Sequence, residues 1–127
     1  MKCAVCGKHE FPETNSFDIC PLCGWEDDGV QNDDHNYAGG ANSLSVNEAR
    51  IEFFLLTNES TKVAAEECRK VYGEKCRAIY TKYAGLHRVK EPEKAKEEKA
   101  DFRAVRKKYM DELNNILQST GTRVIVQ

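Results

Sequence analysis

The sequence has no apolar run near the roughly 18 residues needed to cross a bilayer, so no membrane-spanning helix is expected. It also lacks the basic start, apolar stretch and cleavage site of a secretory leader, since the first cysteine already stands at Cys3. The expectation is a cytoplasmic protein. In a reducing compartment its six cysteines point to metal ligation or buried thiols in place of disulfides. Histidine is scarce and scattered, at His9, His35 and His87, and no serine or cysteine sits in a recognisable activating motif. No nucleophile and base can be paired from these residues, so enzymatic activity is not expected. There is no low-complexity tract.

Basic side chains are nearly missing from the first part of the chain. Residues 1–59 carry three Lys and Arg against eleven Asp and Glu, a balance of −8, whereas residues 60–127 carry 16 against 10, or +6. The total of −2 over 127 residues marks neither a nucleic-acid binder nor a disordered acidic tail. The sign change suggests either two regions with different surfaces or two faces of one fold.

Four cysteines fall as Cys3-Ala-Val-Cys6 and Cys20-Pro-Leu-Cys23, each pair followed by glycine, Gly7 and Gly24. A CxxCG turn brings two thiolates to one point, and glycine permits the positive φ that the tight turn needs. Two such turns supply four sulfurs at tetrahedral corners, the pattern of a zinc ribbon. A redox CxxC motif would open a helix after a buried strand, a setting neither stretch has. Rubredoxin-like iron would use the same four sulfurs, so zinc is the expected metal with iron as the alternative. A site filled by four cysteines leaves no position for water or substrate, which makes the metal structural. Its binding, about 10–16 kcal/mol for comparable zinc peptides, would let so short a segment fold, and a strong chelator should unfold it. The remaining pair, Cys68 and Cys76, stands about 12 Å apart along an expected helix, too far to bridge, and is read as core thiols.

The stretch "DICPLCGWEDDGVQ", followed by "YAGGANSLSVNEAR", resembles the cysteine-rich CPCC family of small bacterial domains. Members carry a first cysteine pair, an ICPxCxWEDD segment and a downstream GGAN-x-x-S-x-x-EAR segment. The resemblance covers residues 1 to about 55. It departs at the first pair, where Cys3-Ala-Val-Cys6 lacks the proline and the adjacent cysteine of a CPCC opening, yet both ligands are kept. The resemblance implies a zinc-ribbon-like fold and no particular activity.

Between the knuckles, "KHEFPETNSFDI" places a turn between Phe11, Phe17 and Ile19, as expected for a hairpin joining two ribbon arms. "GGAN" reads as a flexible turn. Ser45-Val-Asn-Glu48 is a capping box that opens a helix over 46–56, apolar on more than one side. Ser60 or Thr61 is placed to cap a second helix over 61–84, and a third follows over 93–118 after the "GLHRVKEP" break. The two long helices are expected to form an antiparallel hairpin, and "RVIV" at 123–126 a short strand. The predicted class is α+β: a zinc ribbon with an acidic loop over residues 1–44, and a helical region over 45–127 that either packs on the ribbon or stands apart.

Two binding classes remain. Glu26, Asp27, Asp28, Asp33 and Asp34, held on a rigid metal scaffold, suit a basic protein partner, as in an immunity or inhibitor protein neutralising a toxin or nuclease. At least two of the five are expected to stabilise turns instead, and Trp25 to pack behind its knuckle. The alternative is a nucleic-acid-binding regulator using Arg103, Arg106, Lys107 and Lys108 on the last helix, since the acidic N-terminal region would repel a phosphate backbone. Asp33, Asp34 and His35 form at most a weak second metal motif.

Overall fold

The computed structural model describes residues 1–85 and 92–121. These residues form four helices: α1 (Gly29–Asp33), α2 (Val46–Thr57), α3 (Lys62–Lys82) and α4 (Pro92–Thr120). The α2 helix starts where its capping box dictates: the Ser45 hydroxyl accepts the Glu48 amide at 3.1 Å, and the Glu48 carboxylate accepts the Ser45 amide at 2.9 Å. Thr61 holds the cap position of α3, but its hydroxyl donates to the Leu55 carbonyl at 2.8 Å and so ties the end of α2 to the start of α3. Pro92 opens α4, where its missing N–H costs nothing.

The α3 and α4 helices run antiparallel, because their contacts pair rising with falling residue numbers. Tyr83 donates to Asp101, Tyr80 meets Phe102 edge-on at 5.2 Å, and Tyr72 stacks on Tyr109 at 4.4 Å. Across this hairpin lies α2, and the main core gathers Leu44, Ile51, Leu55, Ala65, Tyr109, Met110 and Leu113. A second, smaller core joins Cys3, Phe11, Cys20 and Trp25 to Val46, with Ala49 against both clusters. Apolar residues on more than one side of α2 thus serve two cores, one toward the hairpin and one toward the cysteines. Gly73 lies inside α3, where it costs the helix about 1 kcal/mol relative to alanine. A Cβ there would meet only the Arg77 guanidinium, at an ordinary 3.5 Å, so internal packing does not require the glycine.

The expected α+β class with a zinc ribbon is not what forms. Among the described residues there is no strand or sheet, only two isolated antiparallel bridges, Lys2 with Glu10 and Ile19 with Glu26. One such bridge flanks each cysteine turn. Between the arms, Asn15 and Phe17 both sit at φ 59°, a left-handed conformation that breaks an extended run. After the second turn only residues 25–28 precede α1. Of the apolar positions flanking the expected hairpin turn, Phe17 and Ile19 are exposed and only Phe11 is buried. The strand expected over residues 123–126 lies outside the described residues, as do residues 86–91 of the break and with them His87.

Candidate metal centre and surrounding surfaces

The two CxxCG turns are near copies. Gly7 donates to the Cys3 carbonyl and Gly24 to the Cys20 carbonyl, each at 2.9 Å, with φ 67° and 81° at the two glycines. In both, the first cysteine is buried and the second half-buried. The first turn is closed by the Cys3 amide on the His9 carbonyl and the second by the Cys20 amide on the Trp25 carbonyl, both at 2.8 Å. The α2 helix braces the first turn, since Arg50 donates to the Ala4 carbonyl through Nε at 3.0 Å and Nη2 at 2.8 Å.

These turns bring Cys3, Cys6, Cys20 and Cys23 to one point, with all four sulfurs within 4.8 Å of one another. Cys3 lies 3.5 Å from Cys23 and Cys6 lies 3.7 Å from Cys20, distances far beyond a disulfide. A tetrahedral ion with bonds of about 2.3 Å to sulfur would set its ligands about 3.8 Å apart, so the spacing fits. The local electrostatics fit too. A hydrogen bond from the Cys23 thiol, aided by the Val5 and Cys6 amides and opposed by burial, lowers Cys3 to about 5. The same bond, then burial, pushes Cys23 well up, and burial raises Cys20. Thiolates gathered at one point repel one another, and a bound cation offsets that charge. Backbone amides are already aimed at them, as in the Leu22 amide at 3.4 Å from the Cys20 sulfur.

The five acidic candidates separate. Asp27 is fully buried and accepts the Ser16 amide and hydroxyl at 3.0 and 3.3 Å and the Asn32 side chain at 2.7 Å. Asp28 is buried as the cap of α1, accepting Val30 at 2.9 Å and Gln31 at 3.4 Å, and it also accepts the Ala41 amide at 2.9 Å. Chiefly the Ala41 amide holds its carboxyl below the ordinary value. Neither of these two carboxylates is left facing outward. Glu26 is half-buried, while Asp33 and Asp34 are exposed. Trp25 packs behind the cysteines as expected, its indole N–H on Asn32 at 3.0 Å. Asp33, Asp34 and His35 do not converge: among the described residues the four-cysteine group is the one cluster placed to hold a metal.

Sequence reasoning missed Gln31 and Asn42. Gln31 is fully buried, donating to the Tyr37, Asn42 and Leu44 carbonyls at 3.1 Å and accepting the Asn42 amide at 3.0 Å. Asn42 clamps both backbone groups of Glu26 at 2.9 Å. "GGAN", expected as a flexible turn, is tied over α1 by hydrogen bonds from the Ala41 amide to Asp28 and from Asn42 to Gln31 and Glu26. A Cβ at Gly40 would stand 2.6 Å from the Asp28 carboxylate and 3.0 Å from Gln31. Nothing in the letters Gln and Asn separates a side chain that satisfies buried backbone groups from one that faces water.

The basic candidates on α4 do not share one surface. Arg103 and Arg106 line a groove facing residues 34–43, with Arg106 Nε 3.5 Å from Glu48. Lys107 is paired with Asp111 at 2.9 Å, and Lys108 lies beside Cys68 and Glu112. Cys68 and Cys76 are half-buried free thiols, both raised chiefly by burial. No helix among the described residues is long and apolar enough to cross a membrane.

A helical core joined to four convergent cysteines defines a cysteine-rich domain able to hold a metal ion. The family model for cysteine-rich CPCC proteins matches residues 1–74, and the chain belongs to that family. The match runs beyond the motif segment into the middle of α3. No curated protein matches the chain.

Proposed function

We propose that this chain is a cytoplasmic zinc protein without catalytic activity that binds a basic protein partner and neutralises or regulates it, in the manner of an immunity protein acting on a toxin or nuclease. Zinc suits four thiolates at this spacing, with iron the alternative, and a site filled by four sulfurs serves structure alone.

One observation carries the partner. Phe17, Ile19, Leu22 and Val30 are 55–65% exposed on the short cysteine-bearing module, which also exposes the carboxylates of Asp18, Asp33 and Asp34. Large exposed apolar side chains on a module with an excess of carboxylates suit a protein surface of the opposite sign: the apolar groups supply affinity and the carboxylates steer encounter. Glu26, Asp33 and Asp34 keep the partner-facing role, while Asp27 and Asp28 shape the module behind them.

The test is recovery of partners from cell extract at low and high salt, beside gel shifts with nonspecific DNA and RNA. A protein partner lost when Asp33 and Asp34 become Lys, and retained when Arg103 and Arg106 become Glu, bears the proposal out. Binding to nucleic acid that the α4 reversals abolish, with no protein recovered, sinks it in favour of a nucleic-acid regulator.

A further inference from the structure

Between residues 34–43 and the α3–α4 hairpin lies a half-open groove of about 1010 Å³, at the upper end of the range for small-molecule sites. Among its lining residues Asp34 is the single carboxylate, set against Lys99, Arg103 and Arg106. The three cations follow one another at i, i+4 and i+7, which aligns them on one face of α4. Lys99 and Arg103 make no ion pair with a described residue. The buried Arg106 Nε–H has no hydrogen-bond acceptor, the Glu48 carboxylate standing off at 3.5 Å. On a chain whose net charge is −2, this groove is a local reversal of sign.

The same groove presents aromatic rings. Tyr37 and Tyr80 are 44% and 60% exposed, and Phe102 meets Tyr80 edge-on at its wall. Gly73 lines it as well, the helix-interior glycine that internal packing does not require. A glycine kept at a cost to its helix leaves room for an outside group to approach the backbone.

We propose that this groove binds a nucleotide, with the phosphate on Lys99, Arg103 and Arg106, the base against Tyr37, Tyr80 and Phe102, and the close approach made over Gly73. Guanidinium forks match phosphate oxygens, and aromatic faces stack on any base. A free mononucleotide and a nucleotide within a single strand share this chemistry. The inference does not depend on the protein partner proposed above.

The metal-loaded full chain is titrated with AMP, adenosine, inorganic phosphate and an eight-residue oligoadenylate, following backbone amide shifts by NMR. AMP is expected to move the amides of residues 37–43 and of α3 around Gly73, with phosphate or adenosine alone at least about tenfold weaker. Arg103→Ala weakens AMP about tenfold, while Lys107→Ala, outside the groove, leaves it unchanged. Gly73→Leu abolishes binding. Gly73→Ala raises the folded-to-unfolded ratio about fivefold yet weakens AMP, a pairing of signs that a purely structural glycine does not give. Affinity for the oligomer beyond its count of nucleotides assigns a single strand, and equal affinity per nucleotide a free one. The proposal is overturned if neither AMP nor the oligomer shifts these amides. It is equally overturned if binding survives in both Gly73 variants, or if Lys107→Ala weakens it as much as Arg103→Ala.

Discussion

Asp28 shows how far a residue's structural role can be separated from its surface appearance in the sequence. Replacing it by alanine removes the acceptor for three amides, two at 2.9 Å and one at 3.4 Å. Loss of a helix cap costs about 0.5–2 kcal/mol, and a good hydrogen bond to a buried charge about 1.5–3 kcal/mol. Counting the cap once and the Ala41 tie once, Asp28→Ala should cost about 3–4 kcal/mol. Asp28→Asn keeps one oxygen for α1 but turns an NH₂ toward the Ala41 amide, and should cost roughly half as much. The assay is urea unfolding of the metal-loaded protein, followed by Trp25 fluorescence and far-UV circular dichroism. Acid adds a second arm. Because the folded-state pKa of Asp28 is depressed below 3.8, its contribution is present above the unfolded value and fades as pH falls below it toward the folded one. The stability gap between wild type and Asp28→Asn should therefore hold at pH 5–7 and narrow below about pH 4. An unchanged midpoint in both variants would refute the structural role and return Asp28 to the list of outward-facing acids.

Leu113 is fully buried in the main core, so Leu113→Ala should lose about 2–5 kcal/mol in the same urea assay. Tyr109→Phe removes the 2.6 Å bond to Glu52 and should cost about 1–2 kcal/mol, recovered in part by Glu52→Gln in a double-mutant cycle. Ser45→Ala breaks the capping box of α2 and should cost about 1 kcal/mol, with helix content otherwise kept. Cys68→Ser and Cys76→Ser should leave metal stoichiometry unchanged, whereas Cys20→Ser should lose the metal, by elemental analysis of the purified variants.

Where the sequence carried periodic or capping information, structure followed it closely. Ser45 and Glu48 marked the start of α2 to the residue, and the apolar steps through Ala65, Ile79, Tyr109 and Leu113 located both long helices. The cysteine spacing located the cluster, because two identical turns have few ways to converge. What failed was the step from cysteine turns to strands. A ribbon needs a ladder of paired residues, and here left-handed Asn15 and Phe17, and the prompt start of α1 after Asp28, cut each arm to one bridge. Gln31 and Asn42 were illegible for another reason: polar side chains that satisfy buried backbone groups look the same in sequence as those facing water, until the strap that closes over them is in place.

The metal content of protein purified without added metal or chelator bears most directly on the central claim. One zinc ion per chain is expected, with Cys3, Cys6, Cys20 and Cys23 shielded from a thiol reagent until a strong chelator removes the ion and exposes Trp25. Protein that carries neither zinc nor iron, keeps its fold in the presence of chelator and shows all four of these thiols freely reactive would contradict it.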